Sequence, residues 1–523
     1  MKQDYNIYKN PKAFLPLLVP FITISVYLII VLDLPILRTQ DDAFITFRYA
    51  RNLVRGHGPV YNPGVPVEGY TNFLWMIVMA GVLKLKGDPI FFSRLFGIVS
   101  GVGLIWFCWL GGARILKHKI ALTIVAPAIL VVFPGFAAES VEGLETIFFS
   151  FLLLGGIVLT AWGYEQRSVV AWHPLLFALA SMTRPEGVMV FVLTMMCVFV
   201  HGWLNQSIRL RFILRSSLIY LVIFLPYYLW RYQYYGYPFP NTYYAKTGGG
   251  MLQAQRGLEY VISFIGEFSW VLLLLSLMIV LPLLKRYLLL HICTVVTLGY
   301  LAYVALIGGD FKPTYRFLIP VTALVCLIYQ AALAELCAFI GRRRSGVPVW
   351  CLFAATMLSI FVCLKVYSGS EQLRRKYSRL ENGVSKRDYI DRARVIGNWI
   401  HMNSKPGDHL AISTAGAIAY FSDIPVIDML GLNDLHIARS KPIDFGSGLA
   451  GHECADSDYV LSLKPRFIIF KTKIIKSPIT PKTIRTTLIG EKQLSASTEF
   501  KANYEAKTFP VFDEYGVVYV RKY

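Results

Sequence analysis

"YTNFLWMIVMAGVLKLKG", residues 70–87, is apolar enough to cross a membrane, and whether it does so decides the topology of the whole chain. Counting it as a span inverts every later loop. Most basic clusters would then lie outside, against the preference of Lys and Arg for cytoplasmic loops. A helix lying on the outer leaflet removes the conflict. The other apolar runs fall near 14–33, 91–113, 119–135, 144–162, 172–183, 187–204, 216–235, 264–284, 287–307, 316–341 and 348–366. With these eleven as spans and the N-terminus inside, Lys9/Lys12, Arg114/Lys117/Lys119, Arg167, Arg209/Arg211/Arg215, Lys285/Arg286 and Arg342–Arg344 are all cytoplasmic. The same count puts the C-terminal tail outside.

Composition supports this reading. The chain has 523 residues, 55% hydrophobic and only 16% charged. Repeated apolar runs of about 20 residues mark an α-helical multi-pass membrane protein. Much of the net charge of +20 sits in short clusters between apolar runs, so it reads as topology and not as a nucleic-acid surface. The N-terminus is basic and then apolar, without a small-residue cleavage site, which reads as a retained signal anchor. Of eight cysteines only Cys454 lies in the polar tail, so the tail has no disulfide of its own, and no CxxC spacing is present.

The topology divides the chain into a transmembrane domain (1–366), a charged linker (367–387) and an outer α/β domain (388–523). The outer domain combines an amphipathic helix near 388–403, with Ile390, Ala393, Ile396 and Ile400 on one face, and the strand-like runs "HLAIST", "IPVIDML", "PRFIIFK" and "GVVYVRKY". The unusual polar pieces of the membrane part all face outside. They are residues 34–90, with two interfacial helices, "PGFAAESVEGLET" (134–146), "TRPEG" (183–187), "YGYPFPNTYYAKTGGG" (235–250) and "GGDFKPTYRF" (308–317). Polar residues at membrane depth are costly and usually face a cavity. Their one-sided placement, with no internal repeat, argues for an enzyme over a transporter of lipid-linked sugars.

The first outer loop opens with "QDDAFITFRYARNLVRGHG" (40–58). On a helix, Ala43, Phe47, Ala50 and Val54 form an apolar face, while Asp41, Arg48, Asn52 and Arg55 share the other. Two acids at a helix N-terminus complement its dipole. A carboxylate can also take a proton from an attacking hydroxyl. Asp41 is favoured for that role over Asp42, because it shares a face with Arg48. Arginines beside a carboxylate suit an anionic leaving group such as a phosphate. His57, between two glycines, and Glu68, in "NPGVPVEGYTN", join this loop as candidate lining residues.

These segments carry a resemblance. "DDAFITFRYARNL", "GHGPVYNPG", "VEGYTNFLW", "VEGLET", "TRPEG", "FPNTYYAKTG", "GGDF…RF" and "IDMLGLNDLHIAR", in order between about residues 38 and 440, resemble the GT-C glycosyltransferase superfamily. More narrowly they resemble the terminal β-(1→2) arabinofuranosyltransferase family of mycobacterial cell walls. The resemblance implies transfer of a sugar, D-arabinofuranose first, from a polyprenyl-phosphate donor to a cell-envelope glycan outside a bacterial cytoplasmic membrane. It implies catalysis by Asp41 and Asp42. Glu142 or Glu145, Arg184, Glu186, Tyr244, Lys246, Asp310 and Arg316 would line the same cavity. Arg48, Arg184, Lys246 and Arg316 are the candidate partners of the donor phosphate. Asp428, Asn433 and Asp434 would either bind the acceptor or dock the outer domain. Relatives use several sugars, so a mannosyl- or aminoarabinose-type transferase is the alternative within the class. Paired acids suit Mg²⁺ or Mn²⁺, but one Asp-Asp pair does not complete a site, and no metal ligand is assigned.

Overall fold

The computed structural model describes residues 15–32, 39–116, 120–167, 172–267, 276–312, 314–342, 389–471, 474–475 and 486–522. The expected span at 348–366 and the linker at 367–387 lie outside these residues.

The first helix, α1 (Leu15–Leu32), is followed by α2 (Asp41–Val54) and α3 (Phe73–Lys84). Helix α3 holds the segment that decides the topology. Twelve residues rise only about 18 Å, too short for a hydrocarbon core of about 30 Å. Then come α4 (Pro89–Leu116), α5 (Val125–Val132), α6 (Pro134–Val141), α7 (Thr146–Glu165), α8 (Trp172–Thr183), α9 (Glu186–Leu204) and α10 (Leu210–Tyr235). Helices α11 (Asn241–Lys246), α12 (Gly250–Glu267), α13 (Leu288–Leu306) and α14 (Ile319–Arg342) follow.

Among the described residues six helices are long and apolar enough to cross a membrane: α4, α7, α9, α10, α13 and α14. A seventh crossing arises if α5 and α6, bent by 60° at their junction, form one broken span. Pro134 sits at that break and cannot continue the hydrogen-bond ladder of α5. Helix α8, read as a span from its apolarity, has 12 residues and is too short to cross alone. Leu214, Leu218, Val222 and Leu229 on α10, and Phe21 and Ile29 on α1, are exposed. Such apolar faces match a lipid surface.

The C-terminal part holds α15 (Tyr389–Asn403), β1 (Leu410–Ile412), α16 (Ala417–Ser422), β2 (Val426–Asp428), β3 (Phe467–Ile469), β4 (Ile474–Ile475), β5 (Tyr504–Val511) and β6 (Glu514–Arg521). They form a six-stranded sheet in the order β2-β1-β3-β6-β4, with β5 pairing β6. Strand β1 runs parallel to both β2 and β3, and β6 is antiparallel to β3. Ile390, Ala393, Ile396 and Ile400 of α15 are all buried against this sheet, as their spacing predicts.

Helix α2 corrects the surface-helix expectation. Every residue from Ala43 to Ala50 is buried, as is Asn52. Phe44 and Phe47 join Trp75, Met76 and Met79 of α3 in one hydrophobic core with Ile390, Ile396, Leu410, Ile418 and Val426 of the outer domain. The period of α2 gives only one face, because the second is covered by a domain more than 300 residues away in sequence.

Candidate functional site

A cavity of about 1130 Å³ lies between the membrane helices and the outer domain. Asp41 and Asp42 both line it, but their chemistry differs. Asp41 accepts from the Tyr389 hydroxyl at 2.9 Å, from Ala417 N at 2.9 Å and from Gly416 N at 3.0 Å, so both its oxygens hold the outer domain. Asp42 receives Arg316 Nη1 at 3.2 Å on Oδ2, and its Oδ1 accepts nothing among the described residues. The Asp42 side chain is 40% exposed where it lines the cavity. Burial alone would raise its pKa, but the charges of Arg316, Lys312 and Lys246 outweigh that and hold it at about 2. Asp41, favoured from its helix face, is thus spent on the outer domain, whereas Asp42 keeps one oxygen open to the cavity.

Arg316 bridges Asp42 and Asp310, whose Oδ2 receives Nε at 2.9 Å. A guanidinium thus already occupies the space between the two carboxylates that a divalent ion would need. Among the described residues no group of three or more His, Cys, Asp or Glu side chains is arranged to hold a metal ion. Behind this bridge Lys312 donates to Glu142 at 2.9 Å, and the fully buried Glu139 accepts from Thr314 at 2.8 Å and Thr146 at 3.0 Å. Burial would lower the Lys312 pKa, yet Glu142 and Glu139 hold it above its ordinary value. Glu142 therefore stands one step behind the cavity wall and orients Lys312, which does line it.

Glu145, Arg184 and Glu186 form a second lining cluster. Arg184 reaches Glu145 and Glu186 at 3.2 Å each, with all three side chains less than a tenth exposed. Asn72 donates to the other Glu145 oxygen at 2.8 Å. Lys246, at the end of α11, lines the cavity with no ion pair or hydrogen bond among the described residues. Burial first, and then the Arg316 charge, lowers its pKa below the ordinary lysine value. Lys246 is therefore available to an incoming anion.

Other expected residues lie elsewhere. Arg48 is buried and not at the cavity. Its Nε donates to Tyr61 O at 2.8 Å and its Nη2 to Ile424 O at 2.7 Å, while Nη1 donates to Ala419 O. Its donors are spent clamping the outer domain, which corrects its assignment to a phosphate. Arg48→Met leaves those carbonyls unpaired and is expected to destabilise the protein by roughly 3 kcal/mol. Thermal unfolding of the variant checks this. His57 lies in an exposed turn. Glu68 is buried in an ion pair with Arg231 at 2.6 Å, joining the first outer loop to α10. Tyr244 lies under the Arg439 guanidinium at 4.9 Å, and its neighbour Tyr243 lines the cavity instead.

In the outer domain only Asp428 of the three named residues lines the cavity. Its carboxylate accepts from Leu430 N at 3.0 Å and from Asn433 N and Nδ2 at 2.9 Å. Asn433 Oδ1 in turn accepts from the Tyr49 hydroxyl at 3.1 Å. Asp434 accepts from His436 N and Ile437 N, both at 2.9 Å. Asn433 docks this loop onto α2 through Tyr49, whereas the Asp434 carboxylate is occupied within its own loop. Sequence reasoning missed Lys312, Ser413, His452 and Lys471, all of which line the cavity. Lys312 lies inside a quoted motif, whereas the other three follow from topology alone.

Comparison with known proteins fits this architecture. A family model described as "Domain of unknown function (DUF8728)" matches residues 383–519. The terminal β-(1→2)-arabinofuranosyltransferase of Mycobacterium tuberculosis is 28% identical over 45% of this chain and 39% of its own length. That of Corynebacterium glutamicum is 26% identical over 55% and 47%. The matched regions thus span less than half of these curated relatives. ArnT from Cupriavidus metallidurans bound to undecaprenyl phosphate superposes with a TM-score of 0.57, covering 96% of this chain and 97% of its own at 11% identity. The archaeal oligosaccharyltransferase AglB from Archaeoglobus fulgidus, in complex with an inhibitory peptide and a dolichol-phosphate, gives 0.55 at 9% identity, covering 88% and 69%. In fold the chain is similar to ArnT and AglB, and in sequence it resembles part of the terminal β-(1→2)-arabinofuranosyltransferases.

Proposed function

We propose that the protein transfers a sugar from a polyprenyl-phosphate donor to a hydroxyl of a cell-envelope glycan, with D-arabinofuranose as the donor sugar. One observation carries this reading: Asp42 presents a free oxygen to a cavity whose cations, Arg316 and Lys246, suit a phosphate. The names of the relatives support the sugar, and the lipid phosphates bound to ArnT and AglB support the donor class. We further place the protein in a bacterial cytoplasmic membrane, with the cavity facing the periplasm.

In the reaction the acceptor oxygen attacks the anomeric carbon as the bond from that carbon to the phosphate oxygen breaks. Asp42 takes the hydroxyl proton, and the bond's electron pair leaves with the polyprenyl phosphate. Departure adds a negative charge to the phosphate, which Arg316 and Lys246 stabilise. A carboxylate with a pKa near 2 is a weak base. The bound donor corrects this, because its phosphate offsets the cations that hold Asp42 low. No step is routed through a metal, since Arg316 occupies the place between Asp42 and Asp310.

The test is release of free polyprenyl phosphate from arabinofuranosyl, mannosyl and aminoarabinosyl donors, with octyl pentofuranosides and hexopyranosides as acceptors. Release from one donor, with glycoside formed in equal amount, supports the reading and names the sugar. No release from any donor by folded protein would sink it. Lys246→Met should raise the donor KM about tenfold, since each 1.4 kcal/mol is a factor of ten. Its Tm should hold, because no partner is orphaned.

A further inference from the structure

Strand β1 has parallel neighbours on both sides. The chain leaves β1 through α16 towards β2, and β3 pairs on the opposite edge. The carboxyl ends of such strands flank the crevice where open α/β sheets bind ligands. Here those ends face the cavity. Ser413, Thr414 and Ala415 follow β1, Asp428 ends β2 and Lys471 lies just beyond β3, and all five line it.

Ser413 and His452 in this wall keep hydrogen-bonding capacity that the fold does not use. Ser413 is 1% exposed, and its hydroxyl has no hydrogen-bond partner among the described residues, although its backbone N donates to Ile469 O at 3.2 Å. His452 Nδ1 pairs with Ala450 O at 3.0 Å, which makes Nδ1 the protonated nitrogen and leaves Nε2 as an acceptor. Its ring packs edge-on against Phe311 of the membrane part at 4.9 Å. Burial first lowers the His452 pKa, consistent with a neutral imidazole. Leu430 and Ile474 supply apolar surface beside these groups.

We propose that this crevice is the acceptor-sugar subsite of the cavity, with the Ser413 hydroxyl and His452 Nε2 as its hydrogen-bonding groups. The inference rests on the transferase reading. The donor's lipid stays in the bilayer, so its phosphate meets Lys246 and Arg316 on the membrane side. The wall that holds Ser413 belongs to the aqueous domain and suits a ligand rich in hydroxyls, and His452, beside Lys246 and Phe311, stands where that ligand would meet the donor. A hydroxyl that donates and accepts, a neutral acceptor nitrogen and an apolar surface match the edge and face of a sugar ring.

The experiment compares wild type, Ser413→Ala, Ser413→Thr and His452→Ala, with the donor and octyl glycoside that support transfer. Ser413→Ala and His452→Ala should each raise the acceptor KM about tenfold. In Ser413→Ala the donor KM and the acceptor-independent hydrolysis of the donor should stay as in wild type. Ser413→Thr keeps the hydroxyl and should retain near wild-type acceptor KM, which separates recognition from packing. An unchanged acceptor KM in both alanine variants overturns the subsite and leaves the transferase reading intact. A parallel loss of donor hydrolysis and of Tm in both also overturns it, as a structural effect. Absence of transfer by wild type from every donor overturns both readings together.

Discussion

Asp42→Asn should lower turnover by 10²–10⁴-fold, the span associated with loss of a positioned general base. The substitution keeps the shape of the side chain and removes its basicity. It also removes the anionic partner of Arg316, which retains Asp310 at 2.9 Å. Thermal stability should therefore change little. Asp41→Asn should behave in the opposite way. Its oxygens accept three hydrogen bonds from the outer domain, two of them from backbone N–H groups. An asparagine oxygen meets part of this demand and its amino group repels the rest, at a stability cost of about 1.5–3 kcal/mol. Turnover should fall less than in Asp42→Asn. Single-turnover release of polyprenyl phosphate beside thermal unfolding of both variants separates the roles. A dead Asp41→Asn with an active Asp42→Asn would reverse the assignment.

Arg184→Met should be the most destabilising single change in the cavity wall. It leaves Glu145 and Glu186 as uncompensated carboxylates, each less than a tenth exposed. Removing one partner of a buried ion pair costs about 3–5 kcal/mol. Adding Glu145→Gln and Glu186→Gln to Arg184→Met removes the stranded charge, and most of that loss should be recovered. Activity should not return with stability if Arg184 contributes positive charge to the donor site. Full activity in the stable triple variant would assign the cluster to architecture alone.

Much of the membrane part was legible because lipid imposes a simple rule on sequence. A run of about 20 apolar residues announces a span, and Lys and Arg clusters orient it. The same rule misleads where protein replaces lipid. Helix α8 is apolar because Phe177 and its neighbours are buried in the bundle, and it stops after 12 residues at "TRPEG". The motifs marked Asp42, Asp310, Arg316, Lys246 and the Arg184 cluster as a group, since polar residues are rarely kept there without a reason. They could not rank Asp41 against Asp42. That distinction depends on Gly416, Ala417 and Tyr389, which reach Asp41 from a distant part of the chain. Arg48 misled for the same reason, because a partner made of backbone carbonyls leaves no trace in residue identity. Ser413 and His452 are equally silent in sequence, for only the strand order brings them to the cavity.

The core shared by α2, α3 and α15 bears on how such a protein can diversify. Phe44 and Phe47 lie within two turns of the acid pair and pack among residues of the outer domain. An outer domain taken from another protein would have to match that packing as well as its own ligand. A new acceptor preference is therefore more accessible through changes inside the existing crevice than through exchange of the domain as a cassette. The two halves are packed as one unit, in which the outer half fixes the orientation of the residue beside the proposed base.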